Sequence, residues 1–209
     1  MNAREEILER MRRALDGAGP APEPPREYRR SLDADVDVVE LLIDRLVDYK
    51  AYVHHGIASI PEALGEARRV VVPADLPAEW RLGEAEFVED EALTTADLDG
   101  ADAVLTGCAA AVAVSGTIML DAGAAQGRRA ITLVPDHHVV VVRRDQITGH
   151  LAEALPRLDP TGPQTWISGP SATSDIELQR VEGVHGPRRL DVVILADSAL
   201  THRQSCSSS

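Results

Sequence analysis

Residues 168–190 read SGPSATSDIELQRVEGVHGPRRL, and Leu190–Leu195 (LDVVIL), aliphatic except for Asp191, completes the segment. Gly169 and Pro170 favour a turn, and the hydroxyl-rich stretch after them predicts a short helix from about Asp175. The aliphatic run is typical of a buried strand. The segment therefore predicts a loop, a short helix and a strand, which is the alternation found in α/β proteins.

The start of this predicted helix has two interpretations. Ser174 and Glu177 have the spacing of a capping box, which accounts for both residues without a ligand. The unpaired amides of a helix start also favour an anion, so Ser171, Thr173, Ser174 and Asp175 are candidates for ligand binding.

The second half of the segment, VEGVHGPRRL, places polar side chains around two glycines just before the strand. Glu182 and His185, together with Glu177, are the candidates for a catalytic acid or base. Arg188 is a candidate for binding an anion. The alternative is that His185 is a hydrogen-bonded structural residue of the loop.

Short β-branched runs alternate with turns and helices upstream of this segment. Helices are predicted over 61–67 and 147–158. The predicted strands are Arg69–Val72, Glu86–Glu89, Ala103–Thr106, Thr117–Leu120, Ala130–Val134, Val139–Arg143 and Gln164–Ile167. This alternation predicts an α/β fold with a substantially parallel sheet.

The N-terminal part predicts a separate helical arm. Asn2 and Glu5 resemble a capping pair, and a helical stripe follows at Ile7, Leu8, Met11, Ala14 and Leu15. A second helix is predicted from about Asp37, with a buried face formed by Val38, Val39, Leu42, Ile43, Leu46 and Tyr49. We therefore predict a helix with a Pro-rich linker over residues 1–30, one domain over 31–197 and a disordered tail over 198–209. Whether the arm docks on its own domain or on another subunit stays open.

Charge and composition exclude several classes of partner. The formal net charge is -13, which repels phosphate backbones and anionic lipid head groups, so nucleic acid and membrane surfaces are poor partners. No apolar run approaches the ~18 residues of a membrane span, and no signal peptide is evident. Cys108 and Cys206 are too few for a disulfide framework or an all-cysteine iron–sulfur site, which favours the cytoplasm.

Three Gly/Ser/Thr-rich stretches fall at the ends of predicted strands, at Thr106–Gly107, Val114–Thr117 and Ser168–Ser174. Ligands of open α/β sheets bind outside the carboxyl ends of strands, so Gly116 and Thr117 are candidate binding residues. The basic pair Arg128 and Arg129 has the charge to hold a small carboxylate. The alternative is that one or both arginines neutralise nearby acids.

The histidine pairs do not predict a metal site. His137 and His138 precede or begin a strand, where adjacent side chains point to opposite faces, and the same argument applies to His54 and His55. The sequence also lacks GxGxxG, P-loop, GxSxG and HExxH motifs. We therefore expect no metal and no nicotinamide, flavin or iron–sulfur cofactor in this chain.

Three stretches resemble the signatures of the lactate utilization protein C family: GCAAAVAVSGTI (107–118), GRRAITLVPDHHVVVV (127–142) and SGPSATSDIELQRVEGVHGPRRL (168–190). The resemblance covers roughly residues 60–195. It implies a single LUD domain, with a fold similar to the ribose-5-phosphate isomerase, glucosamine-phosphate isomerase and CoA-transferase group. It also implies a role in oxidising L-lactate to pyruvate together with iron–sulfur partner proteins.

One position departs from the family pattern. The family usually has a glutamate where this chain has Val114, within AVSGTI. A carboxylate there would be a natural base or nucleophile, as in CoA transferases, and valine is neither. Either the family glutamate is not catalytic, or this chain has lost the chemistry, or Glu177 or Glu182 substitutes for it. Three hypotheses for the function are open: a non-redox subunit of a lactate-oxidising system that binds a small carboxylate or only organises the iron–sulfur subunits, a stand-alone enzyme on a sugar phosphate or acyl-CoA, or a ligand-free scaffold.

Overall fold

The computed structural model describes residues 2–17, 19, 23–170, 172–173, 181–182 and 186–196. The helices are α1 (Ala3–Leu15), α2 (Val38–Asp48), α3 (Ile60–Leu64), α4 (Thr95–Asp99) and α5 (Leu151–Ala154). The strands are β1 (Tyr52–His55), β2 (Arg69–Val72), β3 (Glu86–Glu89), β4 (Ala103–Thr106), β5 (Ala110–Val112), β6 (Thr117–Leu120), β7 (His137–Arg143), β8 (Ile147–Thr148), β9 (Thr165–Ile167), β10 (Ala172–Thr173), β11 (Val181–Glu182) and β12 (Arg189–Leu195).

Six strands form a parallel sheet in the order β1-β12-β7-β4-β2-β3. The central strands β7 and β12 are nearly continuous runs of valine, isoleucine and leucine and are almost fully buried, as expected when both faces of a parallel sheet are covered. The α/β fold with a parallel sheet and an N-terminal helical arm is therefore confirmed.

A smaller sheet, in the order β8-β5-β6-β9, lies beside the large one. One of its faces shares a core with α2 and with one face of the β12 and β7 strands. Its other face is covered by α5. The opposite face of the large sheet packs against α3 and Trp80. The β5–β6 hairpin is thereby fixed between two layers, and this hairpin carries the first family motif.

Four predicted strands have the predicted bounds, at β2, β3, β4 and β6. The predicted strand 130–134 is wrong: residues Arg129–Thr132 form a 3-10 turn, and the strand begins only after Pro135. The predicted helix 147–158 is wrong in its first turn, because Ile147 and Thr148 pair with β5 instead. β1 and β5 were not predicted.

The helix α2 begins where it was predicted, since the Asp37 carboxylate accepts hydrogen bonds from the amides of Val39 and Glu40. Val39, Leu42 and Leu46 form its buried face. The prediction that Tyr49 belongs to this face is wrong, because its side chain is exposed. The loop at Gly169 packs against the Tyr49 Cβ and carbonyl instead.

The arm helix α1 has the predicted capping box between Asn2 and Glu5. None of its residues is buried, and its apolar stripe is exposed at Ile7, Met11 and Leu15. Within the described part of the chain, no helix is both long and apolar enough to cross a bilayer.

Candidate functional site

The turn of the β5–β6 hairpin, residues 113–116, is held against α2. Gly116 has a φ of 58°, and a Cβ at this position would lie 2.7 Å from the Cβ of Arg45. A glycine is therefore required both by the backbone conformation and by the close approach of the helix. This packing fixes the position of Ser115 and Thr117 on either side of the glycine.

A chain of three hydroxyl groups connects the first motif to the start of the third. Thr117 Oγ1 lies 2.8 Å from Ser115 Oγ and 2.9 Å from Ser168 Oγ. Thr117 is buried, whereas Ser115 and Ser168 are exposed. The two motifs therefore meet at one surface, with exposed hydroxyls at both ends of the chain. We call Ser115, Thr117 and Ser168 the hydroxyl site.

Val114 lies at the edge of the hydroxyl site, next to Ser115 in the hairpin turn. Its amide donates to the carbonyl of Gly149 and its side chain is 38% exposed. A longer carboxylate side chain at this position has room to extend into solvent. The three side chains of the hydroxyl site are themselves neutral, and the nearest charged side chain that the structure places beside the turn is Arg45 of α2.

The arginines of the second motif (127–142) lie away from the hydroxyl site. Arg128 makes two hydrogen bonds to the carboxylate of Asp90, at 2.6 and 2.9 Å, and donates to the carbonyl of Leu93. Donating these hydrogen bonds to Asp90 raises the pKa of Arg128 above its usual value. Arg128 therefore joins the loop after β3 to the loop before β7, in line with the alternative that it neutralises an acid.

Arg129 is exposed and lines a small cavity together with Leu120 and Thr165. Leu120 ends β6 and Thr117 begins it, so this cavity and the hydroxyl site lie at opposite ends of the strand, on the order of 10 Å apart. The predicted binding residues therefore divide into two groups and do not form one wall.

The carboxyl ends of β2 and β4 are covered by residues 121–127. The amide of Ala125 donates to the Asp75 carboxylate after β2, and its carbonyl accepts from the amide of Gly107 after β4. Gln126 closes the loop through hydrogen bonds with Asp121. At β2 and β4, the edge at which an open α/β sheet usually binds ligands is thus occupied by the chain itself.

Most of the third motif cannot be placed against these sites. Ser171, Ser174, Asp175, Glu177 and His185, with the helix predicted from about Asp175, lie outside the described residues. Thr173 and Glu182 belong by their backbones to the antiparallel pair β10–β11. Arg188 is exposed, with its guanidinium 3.6 Å from the carboxylate of Asp136.

The sequence analysis did not predict a cluster of charged residues on β1, β12 and β7. Asp191 is completely buried and accepts hydrogen bonds from His54 Nε2 and His137 Nε2, both at 2.8 Å. Arg189 donates two more, at 2.7 and 3.1 Å, and its guanidinium lies 5.0 Å from the ring centre of Tyr52. We call Asp191 and its three partners the Asp191 cluster.

Hydrogen bonds within the Asp191 cluster fix the protonation of Asp191. Burial alone would raise the pKa of Asp191, but the hydrogen bonds from His137, Arg189 and His54 lower it to about 2. The carboxylate is therefore ionised at neutral pH and only accepts, so both histidines present an Nε2–H to it. The cluster joins three neighbouring strands and lies near the amino ends of β7 and β12, opposite to the edge at which the binding site was predicted.

His138 points away from the cluster, to the other face of the sheet, as the strand geometry predicted. Its Nε2 lies 2.8 Å from Thr106 Oγ1, and its Nδ1 has no hydrogen-bond partner among the described residues. Burial, followed by the charge of His137, lowers the pKa of His138 to about 3. His138 is therefore a neutral core residue. The described residues contain no group of three or more histidine, cysteine or acidic side chains that could hold a metal ion.

Comparison with known proteins places these features in a family. Residues 57–195 match the LUD domain, which is about two thirds of the chain. The chain belongs to the LUD domain family. The matched range contains the hydroxyl site and most of the Asp191 cluster but begins just after β1, so His54 and Tyr52 precede it.

Individual LUD proteins resemble the chain over different lengths. A lactate utilization protein C of Deinococcus radiodurans is 47% identical over 203 residues, covering 92% of this chain and 95% of that protein. The uncharacterized protein YkgG of Escherichia coli is 36% identical over 91 residues, or 40% of this chain and 39% of that protein. The crystal structure of a DUF162 family protein from Deinococcus radiodurans superposes with a TM-score of 0.66 at 43% identity, covering 76% of this chain and 96% of that one.

Proposed function

We propose that this chain acts in lactate utilization, as a subunit without a redox centre of its own in a cytoplasmic system that oxidises L-lactate to pyruvate. The observation that supports it is the 47% identity to a lactate utilization protein C over nearly the whole length of both chains. Electrons from lactate require an acceptor, and we assign that task to iron–sulfur clusters on partner proteins, as expected for the family.

The hydroxyl site is the place in this chain where a small hydroxy or keto acid would bind. Ser115 and Ser168 present exposed hydroxyls held in position by Thr117, and hydroxyls both donate to a carboxylate and accept from an alcohol. Arg128 is engaged with Asp90 and Arg129 lies at the far end of β6. Binding there would therefore be weak and would depend on residues contributed by the third motif.

Growth on lactate tests the proposed function directly. A Deinococcus radiodurans strain lacking its lactate utilization protein C should lose growth on L-lactate and regain it when this chain is expressed. Growth on pyruvate should not change, since pyruvate enters after the oxidation step. If immunoblotting shows the chain at the level of the native protein and growth on lactate does not return, the proposal is wrong.

The Val114→Glu variant in the same strain distinguishes a catalytic role from a structural one. If wild-type chain restores growth and the variant restores it equally, the function does not depend on a carboxylate at the hairpin turn. Faster lactate-dependent dye reduction in extracts of the variant strain would instead indicate that a carboxylate at this position takes part in chemistry.

The second candidate function is a stand-alone enzyme that acts on a phosphate ester. The hydroxyl site favours it, because hydroxyl groups also bind phosphate oxygens. Thermal unfolding with sugar phosphates, acyl-CoA, lactate and pyruvate separates the two. A rise in Tm with phosphate esters but not with lactate or pyruvate would favour the second function.

A further inference from the structure

The helix α1 has a well-formed apolar stripe that nothing in the described chain covers. Ile7, Met11 and Leu15 are 58%, 56% and 65% exposed and follow one another at helical i, i+4 spacing. A 13-residue helix is only marginally stable in water on its own. The stripe therefore indicates a docking surface, and its occupant must offer apolar side chains.

Charge indicates which surface is complementary to α1. Residues 1–30 carry seven basic against six acidic side chains, whereas residues 31–209 carry 14 basic against 28 acidic. The second half of α1, RMRRAL, contains three arginines and no acid. A slightly basic arm and a strongly acidic main domain attract each other. Because no residue of α1 is buried against the described part of its own chain, the acidic domain of a second copy is the partner that this charge fits.

The exposed side of α2 combines acidic and apolar residues. Residues 33–48 contain six acidic side chains and a single arginine. Val47 is 54% exposed, and Ile43, one turn earlier, is only partly buried. Asp44 and Asp48 share the single charge of Arg45, which leaves them able to accept further hydrogen bonds from arginines of the arm. Within the arm Arg10 and Arg13 pair with Glu6 and Glu9, so Arg12 is the arginine best placed to do so, and the apolar stripe is available for Ile43 and Val47.

The helix α2 also contacts β1, which lies at an open edge of the large sheet. Arg45 contacts the hairpin at Gly116, and Val47 lies about 200° further round the helix, so it faces away from the small sheet. β1 is the end strand of the large sheet and pairs only with β12 in the described part of the chain. Proteins commonly cover such edges.

We infer that the chain forms a dimer in which α1 of each copy packs across the exposed side of α2, next to the β1 edge, of the other copy. The exchange is reciprocal, so the two contacts are equivalent by symmetry. Each contact pairs the stripe of Ile7, Met11 and Leu15 with Ile43 and Val47, and arginines of the arm with acids of α2.

Oligomeric mass of full-length variants tests this inference. Light scattering of the wild-type chain should give twice the 22.5 kDa of one chain. Met11→Glu and Val47→Glu should each give the mass of a single chain. Leu151→Glu is the matched control, because Leu151 is an exposed apolar residue of α5, away from the proposed contact, and this variant should remain dimeric. A wild-type monomer, or a dimer that survives both test variants, overturns the inference.

Cross-linking distinguishes docking on the second copy from docking within one chain. In a Cys206→Ser background, chains with Met11→Cys are mixed with chains carrying Val47→Cys and treated with a bismaleimide. The expected product is a linked dimer formed from one chain of each kind. A chain carrying both substitutions that is linked only within itself, while the mixture gives no dimer, shows docking in cis and overturns the inference.

Discussion

The hydroxyl site and the Asp191 cluster lie in the same domain and are built on opposite principles. At the hydroxyl site three neutral groups bond to one another, with the two outer hydroxyls exposed. In the Asp191 cluster a buried carboxylate is satisfied by four hydrogen bonds, all from its own chain. The strongest electrostatic interactions here therefore stabilise the fold, whereas the family motifs present exposed neutral hydroxyls at the hydroxyl site.

The largest effect is expected from Asp191→Ala. The substitution leaves the Arg189 charge and two histidine N–H groups without their acceptor, so the free energy of unfolding should fall by about 4 kcal/mol, as when one partner of a buried ion pair is removed. Urea denaturation measures it. Asp145→Asn is the control, since Asp145 forms an exposed pair with Arg143 and should change stability by less than about 1 kcal/mol. If the two substitutions lower the free energy of unfolding equally, the Asp191 cluster stabilises the fold no more than an exposed ion pair does.

Gly116→Ala should cause the next largest loss of stability. The free energy of unfolding should fall by about 3 kcal/mol, because the added Cβ clashes with Arg45 and the residue is strained by its positive φ. Gly17→Ala is the control. Gly17 has a φ of 81° but nothing within 4 Å of an added Cβ, so its substitution should cost at most about 1 kcal/mol. Thermal unfolding of both variants distinguishes the cost of the positive φ, which both share, from the cost of the clash with Arg45, which only Gly116→Ala has. Equal losses would mean that the hairpin is not held against α2.

Acid should weaken the Asp191 cluster specifically. The pKa of Asp191 is lowered from 3.8 to about 2 on folding, so the unfolded state binds more protons between these values and stability falls as the pH falls from about 4 to 2. The free energy of unfolding should fall by on the order of 2 kcal/mol across this pH range. Unfolding free energies measured across this range should show the loss in the wild-type chain and a smaller loss in Asp191→Asn. If the wild-type chain and Asp191→Asn lose the same unfolding free energy over this pH range, Asp191 is not the group responsible.

The smallest effect on stability is expected from Thr117→Val, which removes the central hydroxyl of the hydroxyl site while preserving shape. The free energy of unfolding should fall by about 1 kcal/mol, and growth on lactate should slow if the site binds substrate. Thr148→Val, which removes a buried hydroxyl bonded to the Ala111 carbonyl, is the control for stability alone. Normal growth with the Thr117 variant would exclude the hydroxyl site from function.

The local sequence pattern was enough to predict most of the secondary structure. The strands from Arg69 and Ala103 have the predicted bounds because each is a short β-branched run between turns. β1 was missed because Tyr52–His55 contains two histidines, which do not indicate a buried strand. Ile147 and Thr148 were assigned to a helix because only their pairing with Ala111 and Val112 makes them a strand.

The sites were harder to predict, for reasons of topology. Gly116 and Thr117 were chosen from their motif, and the structure brings Thr117 to Ser168, 51 residues later. His54 and Asp191 are 137 residues apart, and they meet only because β12 lies between β1 and β7. No spacing rule within the sequence predicts such a pair, so the Asp191 cluster required the strand order.

That strand order also sets a sequence of events during synthesis. β1 emerges from the ribosome early, but its neighbour in the sheet is β12, the last strand along the described chain. At a translation rate of about 5–20 residues per second, the nascent chain waits roughly 7 to 30 seconds between the two strands. Throughout that interval the apolar side of α2 lacks the strands that later bury it. Release of residues 189–195 is therefore the step that ends the exposure of the nascent chain to chaperones and proteases.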